Sequence, residues 1–109
     1  MISWNDFEKV DMRVGTILSV HPLENAIKPA FRLEIDFGPL GVKKSSAQLT
    51  KLYTPHDLLG KQVIAVVNFP SKKIAGFVSD VLVLGVYNEN NHVVLLKPDR
   101  LVANGHKIG

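Results

Sequence analysis

The sequence predicts an all-β domain, a small five-stranded antiparallel barrel, and three observations carry that reading. Residues 31–37 alternate apolar and polar without error, the signature of a strand with one face in a core. Residues 63–67 and 81–84 are β-branched, Leu-rich runs with no helical spacing. Only two stretches carry helix signals: one around Trp4, the other between the third and fourth strands.

Ser3, with Asp6 three positions on, has the form of a helix start, and Trp4, Phe7 and Val10 then share a face. A short N-terminal helix within residues 1–10 is expected. Residues 11–20 read as the first strand, with Met12, Val14, Leu18 and Val20 on one side and Gly15 at a sharp bend. His21 and Pro22 end it. The second strand turns Phe31, Leu33, Ile35 and Phe37 to the core and Arg32, Glu34 and Asp36 to water. A turn at 38–41 leads to the third strand, residues 42–46, whose Lys43, Lys44 and Ser45 make it the most polar. It should border a binding face. Residues 48–53 and the following TPHDLLG fit a short helix or pair of turns, with Thr54 as cap before Pro55 and Gly60 as terminator.

The fourth and fifth strands bracket a loop carrying Asn68, Lys72, Lys73, Gly76 and Ser79. A loop held at both ends by buried strands is a rigid platform, so its polar side chains meet a partner at modest entropic cost. A further apolar run at 93–96 predicts an additional C-terminal strand, within an extension spanning 88–109. Strands in this order, with one helix between the third and fourth, make the Greek-key barrel of an OB-fold, although periodicity alone fits another small β-barrel equally well. Residues 81–86 and 93–96 are apolar on both faces, whereas a small antiparallel barrel normally shows water one face of each strand. The N-terminal helix, a second copy of the chain, or both must cover them. A homodimer contact is therefore expected to include Trp4, Phe7, Val93, Leu95 and Pro98.

At 109 residues the chain holds one domain, residues 1–109. The absence of cysteine excludes disulfides, thiol catalysis and cysteine-zinc sites, and fits a cytoplasmic location. The N-terminus has the pattern of neither a signal nor a transit peptide, and no apolar run approaches spanning length, so no membrane insertion is expected. His21, His56, His92 and His106 are scattered without metal-ligand spacing. GPLGVKKSS has the wrong glycine spacing for a phosphate-binding loop, and no serine has a nucleophile-elbow setting. No catalytic residue, cofactor or metal is predicted.

Charge is unevenly distributed. Between Gly41 and Ser79 lie six cations, Lys43, Lys44, Lys51, Lys61, Lys72 and Lys73, against the single anion Asp57, a net +5 in a chain of net +3. A basic middle in a slightly acidic frame suits a polyanion-binding face; solvated lysine loops are the plainer alternative. Phe69 and Phe77 flank the Lys72-Lys73 pair, as aromatics do in single-strand binders, and equally suit closure of the barrel.

The stretches DMRVGTI at 11–17, KKSSAQL at 43–49, VVNFPSKKIAGFVSDVLVLG at 66–85 and VVLLKPD at 93–99 resemble the tRNA-binding domain family. That family comprises OB-folds found as free dimers and as appended domains of aminoacyl-tRNA synthetases. The resemblance implies a non-catalytic homodimer that binds tRNA or structured RNA by shape. Its RNA contacts fall on Asn68, Lys72 or Lys73, and Ser79 around Gly76, with Lys43 as the cation opening the third strand; Lys44 beside it completes the expected face. Lysines would meet phosphates, and Asn68 and Ser79 phosphate or ribose. The stand-alone dimeric members are also described as secretion-related chaperones, which implies unfolded polypeptides or preproteins as the alternative partner.

Overall fold

The computed structural model describes residues 1–109. In chain order the elements are α1 (Trp4–Glu8), β1 (Met12–Pro22), β2 (Phe31–Asp36), a 3-10 turn (Gly38–Leu40), β3 (Val42–Ala47), α2 (Pro55–Leu58), β4 (Gln62–Val66), β5 (Lys72–Ile74), β6 (Phe77–Ser79), β7 (Leu82–Val83), β8 (Gly85–Tyr87) and β9 (Val93–Leu95). The main sheet is antiparallel in the order β3-β2-β1-β4-β7. Its first four strands have the spatial order of a Greek key. The sheet curls until β3 approaches β7, giving a nearly closed five-stranded barrel with two small helices.

The alternation of β2 defines the interior: Phe31, Leu33 and Ile35 are buried, joined by Phe37, while Arg32 and Glu34 face water. β1 departs from the simple period. A register shift between Ile17 and Ser19 bulges the strand, so Ile17 turns into the core and Leu18, expected inside with Val14, is exposed. The bulge lets one long strand pair with β4 over its first half and with β2 over its second. Gly15 sits at the crossover, where a Cβ would come within 2.7 Å of Ile35 and of the Phe37 ring. It is there for packing.

Both helices begin with the capping box their sequences announce: Ser3 with Asp6 in α1 and Thr54 with Asp57 in α2. The bonds from Thr54 hold the Asp57 carboxyl below its ordinary value. Residues 48–53 form turns, and the helix is confined to Pro55–Leu58, whose Leu58 plugs the barrel. α1 buries none of its residues: Trp4 is exposed and Phe7 half-buried.

The second apolar run does not continue as one strand. It divides into β7, which completes the barrel, and β8, which leaves to pair with β9. Val93 and Leu95, expected at a dimer contact, pack against the core; Pro98 is half-buried. Period-2 alternation leaves Val94 outward instead, directly opposite Val86, which is also exposed. The C-terminal extension turns back onto its own chain. Gly105 N and Ile108 N donate to the carbonyls of Val14 and Met12, while Asn104 Oδ1 accepts from Thr16 Oγ1 and Gln62 Nε2. This tail takes the edge of β1 that β2 leaves uncovered.

Gly15→Ala forces its methyl against Ile35 and Phe37 and is expected to destabilise the fold by about 1–3 kcal/mol, the usual cost of overpacking. Urea unfolding followed by circular dichroism checks this, and an unchanged midpoint contradicts the packing role.

Candidate nucleic-acid interface

The segment between β4 and β7, read from sequence as a loop, is a β-hairpin. Ala75 and Gly76 both adopt positive φ, 50° and 81°, the turn that matches the twist of two flanking strands. Lys72 pairs with Ser79, Lys73 with Val78 and Ile74 with Phe77. Opposed residues share a face, so the two lysines diverge. Lys72 lies on the side of Ser79, Ile74 and Phe77, the side turned to the barrel, and Lys73 lies with Val78 in water. The same rule splits the third-strand pair. Lys44 is opposite Glu34 on the outer surface, whereas Lys43 is opposite the buried Ile35 and is itself half-buried.

Hydrogen bonds from the far end of the hairpin fix it to β3. Ser79 Oγ accepts from Ser46 N at 3.1 Å and donates to the Val81 carbonyl at 3.3 Å. Asp80 N donates to the Lys44 carbonyl at 2.8 Å, and Lys44 N returns a bond to Asp80 Oδ2 at 3.2 Å. The other carboxylate oxygen accepts from Ser71 Oγ at the hairpin's entrance. Ser79 is 8% exposed with both hydrogen-bonding capacities engaged internally.

Asn68 is engaged in the same sense. Its Oδ1 accepts from Asp11 N at 3.0 Å and its Nδ2 donates to the Lys9 carbonyl at 2.7 Å, tying the end of α1 and the start of β1 to the strand below. The lysines are different. The ion pairs of the chain are Lys9–Asp6 and Arg13–Asp11, so Lys43, Lys44, Lys72 and Lys73 have no carboxylate partner. Lys61 lies over the Tyr53 ring at 5.1 Å.

Two concavities adjoin the hairpin. On one side a broad groove of about 1510 Å³ runs past Lys28, Lys51, Leu52, Phe69, Lys72 and Leu82, and slightly more than half of its lining residues are apolar. On the other a smaller cleft separates the hairpin tip from the β1–β2 loop, with Arg32 in it. Sequence reasoning assigned Arg32 only to the solvent side of β2 and passed over Lys28. The usable signal was positional: in an OB barrel the second and third strands and the loops beside them form the ligand face. No three His, Cys, Asp or Glu side chains come together as a metal site.

Residues 12–107 match the family model described as "Putative tRNA binding domain". The chain belongs to the tRNA-binding domain family. Methionine–tRNA ligases of Methanosarcina mazei and Pyrococcus horikoshii are 33% and 37% identical over 108 and 107 residues, covering 99% and 98% of this chain. The chain spans only 15% and 14% of the length of those relatives. Among solved structures, chaperone CsaA of Bacillus anthracis str. Ames is 53% identical with a TM-score of 0.95, covering 100% of this chain and 99% of its own. The CsaA chaperone protein of Picrophilus torridus is 51% identical with a TM-score of 0.94 over 100% of both chains.

In this family member, Ser79→Ala leaves the Ser46 N–H without its acceptor in a part-buried setting. An expected loss of about 1–3 kcal/mol in unfolding free energy follows, together with faster hydrogen exchange at Ser46. Unchanged stability and exchange would return Ser79 to the surface role its sequence position suggested.

Proposed function

We propose that this chain is a non-catalytic homodimeric RNA-binding protein that grips tRNA or structured RNA through the basic hairpin and the adjoining third strand. The observation that carries the reading is a set of unpaired lysines, Lys43, Lys44, Lys72 and Lys73, around a hairpin bonded to a nearly closed barrel. Membership of the tRNA-binding domain family supports the same partner. Lys44, Lys72 and Lys73 meet phosphates, and the half-buried Lys43 reinforces the field from beneath. Asn68 and Ser79 act by holding the backbone that presents these charges. The double variant Lys72→Ala/Lys73→Ala is expected to weaken tRNA binding and to flatten the slope of log affinity against log salt by about one unit per lost contact, with folding intact. Binding that keeps its affinity and salt slope in this variant overturns the reading.

The groove beside Lys72 favours a second reading, a chaperone for unfolded or preprotein segments, because it is wide and slightly more than half of its lining residues are apolar. The CsaA neighbours are described as chaperones, which is in keeping with it. Salt separates the two. Phosphate binding weakens steeply as salt rises, whereas apolar burial does not, so parallel titrations with bulk tRNA and an unfolded peptide rank them.

The dimer is supported by exposed apolar surface: Val86 and Val94 as a cross-strand pair, Leu101 nearby in sequence, and Trp4 on a helix that buries nothing. Val94→Asp is expected to halve the sedimenting mass at micromolar concentration. A stable monomer for the unaltered protein sinks the dimer.

A further inference from the structure

We propose that the cleft between the β1–β2 loop and the hairpin tip holds one unstacked base of the bound RNA, and that guanine is the base it fits. The source of that base rests on the RNA reading above. The cleft is open to solvent and has a volume of about 350 Å³ between Glu24 and Asn25 on one side and Ala75 to Phe77 on the other, with Arg32 of β2 between them. That volume lies at the small end of ligand sites, which run from roughly 300 to 1,000 Å³.

Arg32 lies in register between His21 of β1 and Ser46 of β3, on the outer face of the sheet. It is exposed and pairs with no carboxylate, Glu24 included. Arg32 and Glu24 therefore line one small cleft without forming an ion pair with each other. A phosphate would gain from the first and be repelled by the second. Guanine satisfies both: its adjacent N1–H and N2–H groups donate to a carboxylate, and its O6 and N7 accept from a guanidinium. Uracil offers a single ring N–H. Sequence-specific RNA recognition works on such splayed bases, read along their edges and stacked on arginine planes. Ala75 and Gly76, the two residues of the hairpin turn, form the wall of the cleft opposite Glu24 and Asn25.

The test is a magnetic resonance titration of isotope-labelled protein with GMP, CMP and UMP in parallel. GMP is expected to move the amide signals of Asn25, Arg32, Gly76 and Phe77 and to saturate them at a concentration roughly tenfold below UMP, as a paired base edge discriminates. Glu24→Gln, which keeps the size of the side chain, is expected to abolish that preference. Arg32→Lys keeps the charge but loses the planar fork, and is expected to weaken GMP and tRNA binding with the tRNA salt slope preserved. Equal shifts with all three nucleotides, or shifts confined to Lys72 and Lys73, mean phosphate capture alone and overturn the base pocket. If tRNA binds yet both cleft variants match the unaltered protein, the pocket fails while the RNA reading stands. If the unaltered protein binds no tRNA, the RNA reading and the proposed source of the base fail together.

Discussion

The barrel closes on hydrogen bonds that no strand ladder supplies. β3 is the last strand on one side of the sheet, and what meets it is the connection Ser79-Asp80-Val81 leading out of the hairpin. A serine hydroxyl, a carboxylate and the Asp80 N–H substitute for a fifth ladder. Ser45 Oγ adds a bond to the Val81 carbonyl from inside the barrel. Were these groups replaced by apolar ones, the β3 N–H groups of Lys44 and Ser46 would lose their acceptors, and an open edge would result.

The same bonds give the hairpin its order. β5 and β6 are three residues each, and a two-stranded hairpin is marginal in water by itself. Its stability is borrowed from the barrel. Asp80 bonds the backbone of β3 with one oxygen and the hairpin's entrance with the other, so closing the barrel and aiming the hairpin are one event. Rigidity at this point matters for binding, since a lysine on a fixed strand loses less freedom on meeting a phosphate than one on a loose loop.

Much of this was legible in the sequence. The alternation of residues 31–37, the Ser3–Asp6 helix start and the Thr54 cap follow from periodicity and turn chemistry, which act over a few residues, whereas periodicity alone did not separate an OB barrel from another small β-barrel. The β1 bulge was not legible, because one inserted residue inverts the faces without altering composition, and Ile17 and Leu18 are equally apolar. The hairpin was missed for a related reason. Ala75-Gly76 is a weaker signal than Asn-Gly for a turn that needs two positive φ values, and three-residue strands leave almost no period to detect. Which of Val93, Val94 and Leu95 faces outward was not legible, because a run apolar on both sides carries no phase; only pairing with β8 decides that Val94 is the outer one.

The candidate site shows the limit of residue type as a guide to role. Asn68, Ser79, Lys72 and Lys73 look alike from the sequence, as polar residues on one connection. Their bonds divide them. Asn68 and Ser79 have neutral groups that the fold uses, one to hold α1 against β1 and the other to close the barrel. The lysines form no ion pair, so the fold does not depend on their charges, and an exposed cation without a partner contributes little to stability. Selection for folding alone would hold the first pair and leave the second free to vary. Removing Asn68 or Ser79 should therefore be felt first in stability and only through it in binding, whereas removing the lysines should be felt in binding alone. The separation is physical: a short neutral side chain reaches the backbone beside it, while a lysine on a fixed strand carries its charge beyond the backbone into solvent.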